Sequence, residues 1–295
     1  MRLVRLCRTS KPSDRCVISL GIGRTGHTEP LGRLEESLKK TGFQGDFLVW
    51  KDELPPNSPT HFESPMAFKT YCFLEAMKLG YRYVLWIDAP CIALRSINPI
   101  FSIIQEKGYV MFVDPYGQSV GQWCGDDVLE HHKISRDEAF KMPEIPTSVI
   151  GLDLHSVIGR QFLDEWHGMA LDQITFRGTR KPIKSTDDHY AIAWNKDNCI
   201  SADPRVGGHR HDQTAAGIIA HRLGMVACSD GLRDVLCQKA SVGQGTMVLH
   251  HREFGEQIKP LNAIYREIFF TEPFVRAPRR RLRKLAQKIK GLIRR

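Results

Sequence analysis

The sequence predicts an α/β fold built on an open, mostly parallel sheet flanked by helices. Three observations predict it. The run Tyr83-Val-Leu-Trp-Ile87 is almost wholly apolar and rich in β-branched and aromatic residues, as expected of a strand buried on both faces. Strand-like and helix-like segments alternate over roughly the first 120 residues, the pattern that gives parallel sheets with helical crossovers. At 295 residues, 42% apolar and 25% charged, the chain can bury one large core.

The elements follow in order. Cys16-Val-Ile-Ser-Leu20 reads as a buried strand running into a tight loop, Gly21-Ile-Gly23. Leu31 to Lys40 reads as an amphipathic helix stopped at Gly42, and Phe47-Leu-Val-Trp50 as a second strand. A proline-rich loop, residues 54–59, comes next. Ser64 can cap a helix with Pro65 at its first position. Phe68, Tyr71, Cys72, Ala76 and Leu79 recur there at helical spacing, and Gly80 ends it. In the second half, Ser148 to Leu152 reads as a strand, Val157 to Trp166 as a helix, and residues 172–210 as loops around a cleft. Asp212 to Leu223 is helical with Gly224 as its stop, and Asp212 is a good N-cap. Thr246 to Leu249 forms a last short strand, followed by His250-His251. We expect one catalytic domain over 1–275 and a tail over 276–295.

Composition narrows the function classes. The formal charge of +9 is confined to one end: ten of the 42 Lys and Arg lie in residues 276–295, which contain no acid. The remaining 32 basic and 33 acidic residues leave a body of charge −1, which argues against a nucleic-acid-binding surface. No apolar run is long enough to span a bilayer, and Met1 to Lys11 has no apolar stretch of the signal-peptide kind, so a cytoplasmic protein is expected. The eight cysteines show neither C-x-x-C pairs nor zinc spacing and read as reduced thiols. Walker and His-Glu-x-x-His sequences are missing, which removes the best-marked NTPases and metalloproteases.

Several residues can carry chemistry. Asp88 follows the central strand directly, where open α/β sheets bind ligands, and an acid there can hold a metal that neutralises a diphosphate. The alternative is a loop acid before Pro90. His209-Arg-His-Asp-Gln213 gathers five polar side chains at a helix start that favours anions. His250-His251, Gly255 and Lys259-Pro260 follow the last strand; imidazole suits Mn²⁺ and lysine is a compact countercharge. Gly21 could let a nucleotide approach the backbone, although Gly-x-Gly alone is a weak signal. Asp153, Asp187 and Asp188 read as ordinary loop acids that could face an acceptor.

Phe68-Lys-Thr-Tyr-Cys-Phe-Leu-Glu-Ala76, Tyr83-Val-Leu-Trp-Ile-Asp88-Ala89 and Ile97-Asn-Pro-Ile-Phe101 together resemble GT-A glycosyltransferases, especially the glycogenin-like family 8. That resemblance implies a nucleoside-diphosphate sugar donor, UDP-linked, and a glycan or lipid-linked acceptor. It implies a divalent ion, Mn²⁺ or Mg²⁺, held by Asp88 and His251. Pro90 stands where the family has its second acid, which is a departure from the Asp-x-Asp pattern. By the same resemblance Lys69 and Lys259 meet the diphosphate, and Asp212 and Gln213 lie beside the donor sugar. His209 and His211 have no counterpart in it.

In the tail, Leu282, Leu285, Ile289, Leu292 and Ile293 fall at helical spacing among the basic residues. A helix there would have an apolar stripe bordered by positive charge, suited to an anionic membrane surface. A disordered basic tail and a nucleic-acid arm are the alternatives.

Overall fold

A computed structural model describes residues 1–6, 13–22, 25–114, 116–178, 193–195, 199–229, 232–235 and 247–251. The strands are β1 (Arg2–Arg5), β2 (Arg15–Gly21), β3 (Asp46–Lys51), β4 (Tyr83–Ile87), β5 (Cys91–Ala93), β6 (Tyr109–Val110), β7 (Val149–Asp153), β8 (Ala193–Trp194), β9 (Gly208–His209), β10 (Leu232–Val235) and β11 (Val248–His251). The helices are α1 (Thr25–Lys40), α2 (Phe68–Lys78), α3 (Asn98–Lys107), α4 (Asp126–His132), α5 (Arg136–Ala139), α6 (Val157–Leu171) and α7 (Asp212–Arg222).

Six strands form one sheet in the order β1-β3-β2-β4-β7-β6. The centre is parallel, β3 to β2 to β4, as the alternating pattern requires. Towards one side β7 runs antiparallel to both β4 and β6, and at the other edge β1 runs antiparallel to β3. The expected α/β class is therefore present, with a mixed sheet. Tyr83 to Ile87 are all buried, because α3 covers one face of β4 and α2 the other. Period-2 alternation divides the core accordingly. Ile18, Leu48, Val84 and Trp86 face the α2, α6 and α7 side, while Val17, Phe47, Leu85 and Ile87 face α1 and α3.

Three local expectations change. Ser64 does not cap α2; its hydroxyl donates to the Ala170 carbonyl at the end of α6. Met66 takes a positive φ of 64°, and α2 starts only at Phe68. Asp212 is the first helical residue of α7 and not its cap. The cap position belongs to His211, whose φ of 51° is a costly conformation for a side chain with a Cβ. The late strand, finally, runs over Val248–His251 and not Thr246 to Leu249. β11 lies between β10 and β5 in a separate three-stranded sheet.

The antiparallel insertion of β7 depends on one small residue. A Cβ at Gly151 would lie 2.5 Å from Ile104 Cδ1, 2.8 Å from Val110 Cγ1 and 3.0 Å from Leu85 Cδ1. Gly151→Ala should overpack this contact and cost about 1–3 kcal/mol in a urea unfolding titration. An unchanged midpoint would contradict the packing described.

Candidate functional site

Three elements deliver one side chain each to the same point. Lys69 comes from the first turn of α2, Asp88 from the end of β4 and Asp212 from the start of α7. Lys69 Nζ lies 2.8 Å from Asp212 Oδ2 and 3.3 Å from Asp88 Oδ1. It also donates to the carbonyl and the hydroxyl of Thr147, both at 3.1 Å. The Thr147 hydroxyl in turn donates to Asp212 Oδ2 at 2.6 Å. Trp86 donates its indole N–H to Asp88 Oδ1 at 2.6 Å, and its ring centroid is 5.4 Å from the ammonium. Trp166 holds the Asp212 carbonyl through its own indole N–H at 3.1 Å.

Burial makes this cluster more than a surface ion pair. The side chains of Lys69 and Asp212 are each 4% exposed, and that of Asp88 is 19% exposed. Burial alone would pull the Lys69 pKa down, yet the Asp212 and Asp88 carboxylates hold it above its ordinary value. The ammonium is therefore charged, and its removal would strand two buried carboxylates.

Glu144 lies in the segment that leads to Thr147. It is fully buried, and neither carboxyl oxygen has a hydrogen-bond partner. Burial raises its pKa well above the ordinary carboxylate value; Arg210 opposes this, and Asp114 and Asp212 add to it. Burial thus disfavours the charged form of Glu144 near Asp212.

The expected site residues divide into three groups. Lys69, Asp88 and Asp212 come together. Gly21 ends β2 at the same edge of the sheet, since the β2–β4 register sets Ile18 opposite Trp86. Gln213 is half-buried beside Asp212, with its backbone N–H on the Arg210 carbonyl. For the late histidines only the backbone is described: His250 pairs with Cys91, just beyond Asp88 and Pro90, and His251 is the next residue of β11. Lys259, Asp187, Asp188 and residues 276–295 lie outside the described residues.

His209 and His211 serve the fold. They meet the carbonyls of Thr175 and Phe176 at 2.9 and 2.8 Å and so hold the segment after α6 against the start of α7. Asp153 pairs with Arg82 at 3.0 Å, far along β7 from its Thr147 end. Thr147, Trp86 and Glu144 were not expected. The only available signal for Thr147 was the polar pair Thr147-Ser148 ahead of an apolar strand. Its meaning depends on β7 running antiparallel to β4, which brings its start to the carboxyl end of β4.

The donor set at Asp88 fits a divalent ion poorly. Pro90 offers a carbonyl where an acid is expected, and that carbonyl accepts from Arg33 at 2.9 Å. Asp88 Oδ1 already takes two donors, and Asp212 is committed to Lys69 and Thr147. Among the described residues one other group has metal-ligand types close together: His131, His132 and Asp172. Its hydrogen bonds argue against a metal. A guanidinium only donates, so His132 Nδ1 accepts from Arg222 at 3.1 Å. The neutral ring then has its proton on Nε2 and donates to Thr175 Oγ1 at 2.7 Å, and Thr175 donates to Asp172. Neither ring nitrogen keeps a lone pair for an ion. A groove of about 410 Å³ lined by Arg2, Thr28, Leu31, Gly32, Val49 and Lys51 lies by α1, across the sheet from the Lys69 cluster, and shares no residue with it.

Comparison with protein-family models gives no match, and comparison with curated protein sequences gives none either. Some solved structures are similar in layout. Mouse xyloside xylosyltransferase 1, apo form, aligns with a TM-score of 0.41 at 10% identity, over 80% of this chain and 97% of that one. A galactosyltransferase, LgtC, in complex with donor and acceptor sugar analogues, aligns at 0.39 and 10%, over 88% and 98%. A glycosyltransferase involved in glycosylation of the major capsid of PBCV-1 aligns at 0.32 and 14%, over 54% and 67%. At such scores the likeness carries no weight for the chemistry, which rests on the site itself.

His132 gives a pH test of the hydrogen-bond assignment. Burial, with help from Arg222 and His131, lowers its pKa to about 4. The unfolded chain takes up this proton near pH 6.5 and the folded chain does not. Stability from this group is therefore complete above about pH 6.5 and falls as pH drops towards 4. His132→Gln should flatten the stability–pH curve in that window by on the order of 2 kcal/mol, allowing for partial solvent screening. Parallel curves for the two proteins would refute the neutral, Nε2-protonated ring.

Proposed function

We propose that this chain is a glycosyltransferase that moves a sugar from a nucleoside-diphosphate donor, UDP-linked, to a glycan or lipid-linked acceptor. The observation that supports it is the buried Lys69 ammonium joining Asp88 and Asp212 at the carboxyl edge of the central strand. Breaking a glycosyl–phosphate bond leaves positive charge on the anomeric carbon and negative charge on the departing diphosphate. Two carboxylates and one ammonium give the cluster a net negative charge, suited to the sugar end of that transition state. Asp212, oriented by Lys69 and Thr147, accepts sugar hydroxyls, with Gln213 beside it. Asp88 and Gly21 face the nucleotide, and Lys259 meets the diphosphate. His251, next to His250 on β11, belongs to the same edge.

Pro90 favours a second reading, a protein that binds nucleotide sugar without turning it over. Thermal stabilisation by a panel of nucleotide sugars, followed by a nucleoside-diphosphate release assay, separates the two. The transferase reading expects stabilisation by at least one donor together with release. Asp212→Asn should lower turnover by on the order of 10²-fold while leaving UDP affinity nearly unchanged. Stabilisation without release in the wild type supports the binding protein, and no stabilisation by any donor defeats both.

Residues 276–295 are proposed as a separate basic tail that holds a cytoplasmic enzyme at an anionic membrane. No described helix is long and apolar enough to cross a membrane. Deleting 276–295 should abolish sedimentation with phosphatidylserine vesicles at low salt and leave turnover on a soluble acceptor intact. Lost turnover with retained vesicle binding would reverse the assignment.

A further inference from the structure

Four oxygens surround the Lys69 ammonium. Asp212 Oδ2 lies at 2.8 Å, the Thr147 carbonyl and hydroxyl oxygens at 3.1 Å each, and Asp88 Oδ1 at 3.3 Å. Two carboxylates, a carbonyl and a hydroxyl form the kind of donor set that hard cations take. Here it is filled by a cation fixed to the chain through its own side chain. A divalent ion bridging Asp88 Oδ1 and Asp212 Oδ2 would have to displace that ammonium, and a buried ammonium without partners is costly. The loop that carries Asp88 points the same way. It supplies one acid and a proline, and a second side-chain cation, Arg33, holds the Pro90 carbonyl at 2.9 Å.

We propose that Lys69 is the resident cation of this site, and that the nucleoside-diphosphate donor binds without a divalent ion. The inference rests on the glycosyltransferase reading for its ligand, but the oxygen cage stands apart from it. Side-chain cations, and not a metal bridging Asp88 and Asp212, then balance the charge of the site. Lys69 acts as a positioning residue: it orients both carboxylates and touches no reacting atom.

The test is calorimetric titration of the full chain with UDP, GDP and CDP, once with Mn²⁺ and once with EDTA. The proposal expects the Kd of the best nucleotide to differ by less than about fivefold between the two. A larger loss in EDTA, restored by Mn²⁺ and absent in Asp88→Asn, would overturn it. A second arm reads the cage by melting temperature alone and needs no nucleotide. Lys69→Ala should melt lower than wild type and regain part of the loss with ethylammonium, which should leave wild type unaffected. Absence of recovery overturns the cage. If no nucleotide binds in either medium while ethylammonium still rescues, the glycosyltransferase reading fails and takes the metal-free binding claim with it, and the cage alone survives.

Discussion

The contact between Lys69 and the two aspartates is the constraint around which this end of the molecule is organised. It ties the start of α2, the end of β4 and the start of α7 to one point, although Lys69 and Asp212 are far apart in sequence. Buried ion pairs are uncertain contributors to net stability, because desolvation offsets attraction. Their effect on geometry is less ambiguous. With an ammonium held by four oxygens, none of the three elements can shift without leaving a charge unpaired. The site is thereby fixed before any ligand arrives, which is what electrostatic stabilisation of a transition state requires.

The direction of β7 completes this arrangement. In a wholly parallel sheet the start of each strand lies at the edge away from the ligand. β7 runs the other way, so the Asp88 N–H donates to the Ser148 carbonyl at 2.8 Å and Thr147 stands at the ligand edge. The same reversal brings Glu144 close to Asp212. A carboxyl there would be a liability if ionised, and complete burial disfavours its charged form.

Much of this was legible in the sequence because it depends on local pattern. Tyr83 to Ile87 declares a central strand, and the residue after such a strand is a ligand-edge residue whatever the loop does next. Asp212 is marked by its place at a helix start, and Lys69 by the resemblance to GT-A glycosyltransferases. What was not legible depends on contacts distant in sequence. Ser64 and Pro65 make a good helix start, yet the Ser64 hydroxyl finds the Ala170 carbonyl, and the helix begins later. His209 and His211 resemble ligands by composition, while the backbone carbonyls of Thr175 and Phe176 claim them. Strand direction, too, is not encoded in an apolar run. Without it, Thr147 reads as an ordinary loop residue.

The charge balance also limits how the chemistry can be shared. Glycosyl transfer separates charge, and a single cluster cannot stabilise both halves. With Lys69 committed to the acids, the group as a whole is anionic and suits the sugar. On the proposed function, the diphosphate needs a countercharge other than Lys69. The three-stranded sheet reaches that edge: β11 pairs with β5 immediately beyond Asp88 and Pro90, so the backbone of His250 and His251 lies beside the end of β4. The proposed reaction develops two opposite charges, and the α2–β4–α7 cluster, anionic as a whole, answers only the positive one.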